Sequence, residues 1–531
     1  MCAVKWHNHI YFYFPDDSDA PRGLVHHLPR RLLKGQAQLR KRRKAATGKR
    51  LEAETDSESD EEEEEDKEKW SKTDPGLLGT KTPPFVKPVL SADDAAELDK
   101  LSTAYDYYKL FQSEKWVEEI VFQSKLYAVQ ENLPQALDIM SVDSYRCVEA
   151  LLLHSGYHSV PQRRMMWETK ADCHNSLVAD AIRRREADAV LACLHFRDNM
   201  KIEPNGDNYY KVRPIFHNLN QASKRWFSSY EKFSVDEVMI PYYGRHSSKQ
   251  YIHGKPVKYG FKVWAICTSD GSGVWFEPYC GRHTLIQDGG FGQGPNVVLD
   301  LVQKVGLLPG SEVFFDNLFT SFPLLRQLSE MGLAGTGTVR QNRLKKVTLI
   351  PTKKEMGKKT LERGYSKAVY KEDQVLVAWK DSKGVFVASN KHSAESSTTC
   401  KRFCRTKRTH IMVRIPDMIR EYNIGMGGVD LLDALVACYR YTEHTVHIEH
   451  IPVQYTYFFL FFLSFFLFIL QPRPRSDKWV VFIRFLGRNF SYNRHDYIHM
   501  TVLEKKYDET RYKLDWRTLL SSLSRGTLTK I

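Results

Sequence analysis

Cysteine is sparse in this chain, with nine in 531 residues and no Cys-x-x-Cys pair. That excludes a disulfide framework and a standard zinc knuckle, and it points to a reducing compartment. Cys400, Cys404 and His410 come nearest to a metal cluster, but three candidate ligands at that spacing read as ordinary residues in a basic loop. A secretory leader is also missing, because Tyr11–Phe14 is short and Pro15 interrupts it. Negative charge is scarce outside one place. Glu52–Glu68 holds twelve acids and one lysine, a net −11 within a chain of +14, so the remainder stands at +25. A body with that excess attracts polyanions, and nucleic acid is the commonest large one.

What is present divides by composition. The 42% hydrophobic and 12% aromatic content suits a large core split into two or three domains. Residues 1–101 are polar and charged without sustained periodicity, which predicts a disordered tail. Inside it, Arg40, Lys41, Arg42, Arg43 and Lys44, with Lys49 and Arg50, form a dense basic cluster. It reads as a nuclear localisation signal, so the expected compartment is the nucleus. Between 102 and 232 the period is helical, as in Trp116–Val129 and Val142–Leu153, and Pro134, Pro161 and Pro214 punctuate it.

After Phe233 the period changes. Phe233–Ile240, Lys258–Cys267 and Val274–Cys280 read as strands separated by turn residues. Pro295–Leu307 reads as a helix, Glu312–Phe319 as a fourth strand, and Ser321 and Pro323 open another helix. Three meandering strands, a helix, a strand and a helix are the order of an α/β, RNase-H-like domain. Asp236 interrupts an apolar first strand, and Asp316 follows Val313-Phe-Phe315. A carboxylate among buried strand residues is costly unless paired or metal-bound. In that topology the first and fourth strands are neighbours, so the two acids converge. Asp430 and Asp433, three apart on a predicted helix, share a face and either completes a site for hard cations. Such a cluster suits phosphodiester transfer, in which two metals roughly 3.5–4 Å apart activate the attacking oxygen and stabilise the leaving one.

Several stretches, taken in order, resemble the piggyBac transposase family. They are Val235-Asp-Glu-Val-Met-Ile-Pro241 with Gly244-Arg245, Phe315-Asp-Asn-Leu-Phe-Thr-Ser321, Gly335-Thr-Gly-Thr-Val-Arg-Gln-Asn-Arg343 and Met426-Gly-Gly-Val-Asp-Leu-Leu-Asp433. The likeness extends upstream through Tyr105–Phe111, Leu151–Gly156, Leu194–Asn199 and Lys211–Pro214, covering about 102–441. The resemblance implies a cut-and-paste DNA transposase with catalytic Asp236, Asp316 and Asp430. These three and Asp433 would hold Mg²⁺ or Mn²⁺. It implies double-stranded DNA as partner, transposon ends and a TTAA-like target, a homodimer, and no small-molecule substrate. It also implies a dimerisation and DNA-binding region over 102–232, a catalytic domain over 233–440 and an insertion at about 341–405. Val339–Arg363 carries nine Lys/Arg against two Glu, which makes Arg340, Arg343, Lys345 and Lys346 candidate phosphate contacts.

Two departures from the family pattern stand out. After Tyr441, where the family continues into a basic, Trp-containing helical region, this sequence runs Thr442–His450 and then a Phe/Leu tract, so 441–531 reads as a diverged region, and no cysteine follows Cys438 to build a terminal zinc module. Ile451–Pro472 is uncharged over 22 residues, but its Phe/Leu part, Tyr455–Leu470, is only 16. That is short for a bilayer crossing, so a diverged tail is expected rather than a membrane span. Two functions stay open: a transposase, or a domesticated DNA-binding protein that keeps the fold without the chemistry.

Overall fold

The computed structural model describes residues 5–6, 9–10 and 70–438, apart from positions 157, 159, 204–205, 243, 245, 254, 256, 282–283 and 405–406. The basic cluster from Arg40 to Arg50, the acidic run, the Phe/Leu tract and the rest of 441–531 lie outside the described residues. Met1–Asp66 and Lys67–Ile531 are separate units. Of the first, only a small hairpin is described, β1 (Lys5–Trp6) paired with β2 (His9–Ile10).

The second unit begins with ordered chain where the sequence predicts a disordered tail. From Trp70 to residue 101 that expectation is corrected. Ser71 and Tyr370 exchange backbone hydrogen bonds at 2.8 Å each, and Trp70 meets Phe322 edge-on with centroids 4.9 Å apart. Ser91 caps a helix over Ala92–Asp99. A segment without apolar periodicity gains order here by pairing with a sheet edge that would otherwise expose unpaired backbone.

The helical region follows its punctuation. Its main helices are α1 (Ala104–Lys109), α2 (Glu114–Gln130), α3 (Val142–Ser155), α4 (Arg184–Cys193) and α5 (Arg213–Phe227). Thr103, Ser113 and Ser141 accept hydrogen bonds from backbone N–H groups of the first turns, meeting donors that a helix start leaves unpaired. Pro214 stands at the start of α5, where its missing N–H costs nothing. α5 joins the helices to the sheet. The Asn220 side chain donates to the Phe276 carbonyl and accepts from the Phe276 N–H, both at 2.9 Å. One apolar core therefore runs from Tyr108, Ile120 and Val148 to Val235 and Phe315.

Among the described residues the sheet has nine strands. Those expected appear as β3 (Lys232–Pro241), β5 (Tyr259–Thr268), β6 (Gly273–Pro278) and β7 (Glu312–Phe315). A short strand, β4 (Lys249–Tyr251), and a further one, β8 (Ala334–Thr338), join them. β6, β5 and β3 pair antiparallel, β3 and β7 parallel, and β7 and β8 parallel. The predicted helices are α6 (Gln293–Val305) and α7 (Phe322–Glu330), the latter capped by Ser321. The fourth strand stops at Phe315 rather than Phe319. Asp316 turns the chain there: its Oδ1 accepts from the Leu318 N–H and its carbonyl from the Thr320 hydroxyl, each at 2.8 Å.

Between 341 and 405 the chain returns to the same sheet. β9 (Ser366–Lys371), β10 (Gln374–Lys380) and β11 (Gly384–Ser389) continue it beyond β8 in the order β8-β11-β10-β9. β12 (Thr398–Cys404) and β13 (Thr409–Ile415) form a separate hairpin. Cys400, Cys404 and His410 thus sit in paired strands, not in a loop. Alternation explains why: Val413 and Ile415 are buried while Phe403 and Met412 stay exposed. Two helices close the fold, α8 (Asp417–Gly425) and α9 (Gly428–Cys438). Among the described residues, no helix is long and apolar enough to cross a membrane.

Candidate active site

Register does the first part of the assembly. β3 and β7 run parallel with Ser234 beside Phe314 and Val235 beside Phe315. Asp236 follows Val235 within β3 and Asp316 follows Phe315 just past β7, so both aspartates stand at the end of the β3–β7 pairing. Asp316 opens the turn after β7, and Asp236, two along from Ser234 in β3, shares the sheet face of Ser234.

That face carries α8 and α9. The Ser234 hydroxyl accepts from the Val429 N–H at 3.1 Å, and a Cβ at Gly428 would lie 2.1 Å from the Thr268 carbonyl. Only glycine lets the backbone approach so closely. A Cβ at Gly425 would likewise meet the Phe314 ring at 2.2 Å. The glycines around Met426 therefore seat the two helices on β3 and β7. Asp430 falls in the first turn of α9, where the helix dipole favours an acid. It is exposed and Asp433 is half-buried.

Burial and like charge dominate the electrostatics. Asp236 is only 8% exposed. Its carboxyl is pushed well above the usual range by burial first, then by Glu237, with Asp316 adding to the rise and Lys255 opposing it. Burial raises Asp316 as well, as does Glu237, against the Leu318 N–H, Arg340 and Lys255. Tyr422, on α8, has its phenol raised by burial and then by Asp316, Asp236 and Asp430, against a hydrogen bond with Thr338.

Three participants escape the sequence reading: Tyr422, Glu237 and Lys255. The Lys255 ammonium lies 3.8 Å from Asp236 Oδ2 and 3.6 Å from Glu237 Oε1, and it donates to the Glu237 carbonyl at 3.3 Å. Adjacency to Asp236 could have flagged Glu237. Lys255 carries no such signal, since it sits in an aperiodic stretch ahead of β5.

The basic candidates border the acids through the Asp316 turn. Arg340 donates to Asn317 Oδ1 at 2.9 Å. Arg343 donates to the carbonyls of Asn317 and Leu318, each at 3.2 Å, and to that of Thr320. Lys345 and Lys346 are exposed just beyond. In the helical region, Arg163 and Arg164 both pair with Asp188, at 3.3 and 3.2 Å.

The donor set suits a hard divalent cation: several carboxylates, no thiol or imidazole among them, and two acids whose ionisation is resisted by burial and by the Glu237 charge beside them. Among the described residues, no three acidic, histidine or cysteine side chains close on a single point as a ready metal cage.

A family model described as Transposase IS4 matches residues 103–467. The chain is 35% identical over 343 residues to human PiggyBac transposable element-derived protein 3, covering 64% of this chain and 57% of that protein. It is 35% identical over 338 residues to human PiggyBac transposable element-derived protein 2, covering 63% and 56%. It thus spans a little over half the length of these relatives. A solved structure, the cryo-EM structure of a piggyBac transposase synaptic complex with hairpin DNA, superposes with a TM-score of 0.61 at 20% identity. That match covers 81% of this chain and 87% of the other. The mixed α/β fold resembles that transposase, and the family in general depends on divalent metal. The family match, the relatives and the fold agree, and the chain belongs to the piggyBac transposase family.

Proposed function

We propose that this chain is a cut-and-paste DNA transposase whose catalytic residues are Asp236, Asp316 and Asp430, with Asp433 beside them. One observation carries the reading: Val235 and Phe315 pair on adjacent parallel strands, Asp236 and Asp316 follow them directly, and Ser234 beside Asp236 anchors the start of the helix of Asp430. The strand order β6-β5-β3-β7-β8 supports an RNase-H-like sheet, with 233–440 as catalytic domain and 341–405 as its insertion. The helices of 102–232 serve dimerisation and DNA binding, in a homodimer that acts on transposon ends and a TTAA-like target. The solved neighbour, itself a complex with hairpin DNA, supports duplex DNA as the partner. The cluster Arg40–Lys44 with Lys49 and Arg50 carries the chain to the nucleus.

Asp236, Asp316 and Asp430 would hold Mg²⁺ or Mn²⁺, which supplies Lewis acidity to the attacking and leaving oxygens of a phosphodiester. The protein's own groups prepare the place. β3 and β7 fix the two aspartates, and their burial keeps bulk water from screening charge there. Ser234 anchors the start of α9 and so orients Asp430. Arg340 and Arg343 brace the Asp316 turn, and Lys345 and Lys346 offer phosphate contacts along the exit. The +25 remainder of the chain draws in DNA with steep salt dependence, because phosphate contacts release counterions.

The test is an excision assay in cells, using a donor that carries candidate ends between TTAA sites. Excision by the parent chain and none by Asp316→Asn is the expected result. Failure of the parent to excise, with DNA binding intact, would favour a DNA-binding protein without catalysis.

A further inference from the structure

Lys255 is a cation placed where a metallonuclease needs its metal. Its ammonium approaches Asp236 and Glu237 within 3.8 and 3.6 Å, and its side chain is only a quarter exposed. Burial would lower this amine, yet Asp236, Glu237, Asp430 and Asp433 together hold it above its ordinary value. Asp236 and Glu237 thus stand within ion-pair distance of Lys255, and Asp430 and Asp433 add to the negative charge that acts on it. Conversely, Lys255 acts on Asp316, opposing the rise in its carboxyl. No other Lys or Arg ammonium or guanidinium forms an ion pair with Asp236 among the described residues.

We propose that Lys255 is the resident counter-cation of the acid cluster and competes with the divalent metal for it. This rests on the metal-binding reading given above. With no metal, the ammonium partly neutralises Asp236 and Glu237 and lets two buried acids coexist at lower cost. A hard dication brings twice the charge and direct oxygen coordination, so it displaces the ammonium from Asp236. The freed lysine stays at the mouth of the site, on a four-carbon stem, with three donors that suit a phosphate oxygen. Lys255 is accordingly a positioning residue, whose charge sets how readily the site loads and keeps the empty site closed to adventitious cations. A merely structural ion pair would act in the opposite sense, since its loss would loosen Asp236 and weaken metal binding.

The experiment measures Mn²⁺ affinity of the full chain by electron paramagnetic resonance, for the parent, Lys255→Met and Lys255→Arg. Methionine keeps the apolar stem and removes the charge. We expect Lys255→Met to bind Mn²⁺ roughly tenfold more tightly, because a unit positive charge a few ångströms away is gone, and Lys255→Arg to stay near the parent. Equal or weaker binding by Lys255→Met would overturn the proposal while leaving the metal site in place. Absence of Mn²⁺ binding in the parent, with Asp236→Asn behaving identically, would overturn the metal-site reading itself. A second measurement uses only the parent, so it survives a variant that fails to fold. Amine acylation of Lys255, read by peptide mass spectrometry, should rise on adding Mn²⁺, while exposed Lys354 stays constant. Unchanged or reduced acylation of Lys255 would overturn the proposal.

Discussion

Two acids four residues apart flank β7, Glu312 at its start and Asp316 just past its end, and the fold treats them in opposite ways. At one end, Glu312 is 4% exposed, with the ammonium groups of Lys391 at 2.7 Å and Lys232 at 3.7 Å and the His392 ring at 3.2 Å. Burial would raise its carboxyl, but His392 and Lys391 hold it at about 2. At the other end Asp316 faces Asp236 and Glu237 with less positive charge to meet them, and both aspartates are raised instead. The same pair of strands supports both ends, so the strands do not set the difference. A fold that needs a buried acid for stability supplies its counter-charges. A cluster left short of them is one whose counter-charge arrives from outside.

The comparison breaks first, and most sharply, at Asp316. Asp316→Asn should lower Mg²⁺-dependent strand cleavage by roughly a thousandfold or more. It should bind duplex DNA in EDTA at least as well as the parent, since a charge repelling phosphate is removed. Cleavage at the parent rate would show that Asp316 is no ligand.

Glu312→Gln should do the reverse. It strands Lys391 and His392 and should cost roughly 2–3 kcal/mol in urea unfolding, a value reduced because the lysines are partly exposed. Cleavage per folded molecule should be unchanged. The sign of the pH effect follows from the lowered carboxyl. The contribution of Glu312 is present above the ordinary glutamate range and is lost as pH falls from about 4.5 towards 2.

Glu149 sharpens the contrast from outside the site. It is buried in α3, accepts from Tyr108 at 2.8 Å and Gln112 at 2.7 Å, and is still raised by burial to about 7. A raised carboxyl binds its proton more tightly folded than unfolded, so stability should fall as pH rises from about 4.5 to 7. Glu149→Gln should flatten that fall, by about 3 kcal/mol at pH 8, in unfolding curves taken across the range. A slope identical to the parent's would mean that Glu149 is better compensated than its surroundings indicate.

The smallest effect is on the metal-free protein. Asp316→Asn should raise its stability by up to about 1 kcal/mol at pH 7 and by nothing near pH 3, where the parent acid is already protonated.

Much of this geometry is legible in the sequence, and the exceptions share a cause. Asp236 stands out because Phe233–Ile240 is otherwise nearly all apolar, and strands buried on both faces read as such runs. Asp316 stands out for the same reason, although its strand reads four residues too long because the turn at Asp316 is followed by the apolar Leu318 and Phe319. The Gly-Gly pair before Asp430 marks a close approach without saying to what. Lys255 and Tyr422 are not legible, because each reaches the acids through tertiary packing that no local period encodes. The place of β9–β11 in the main sheet is hidden for the same reason: Val375–Trp379 announces a buried strand but not its neighbour.

The central claim is that Asp236, Asp316 and Asp430 serve one metal site. An experimental structure of the Mn²⁺-loaded chain tests it most directly, through the anomalous signal of the ion. The account predicts an ion bonded by both Asp236 and Asp316, with Asp430 facing it from α9. Carboxylates of Asp236 and Asp316 more than about 8 Å apart, with no ion shared between them, would contradict it.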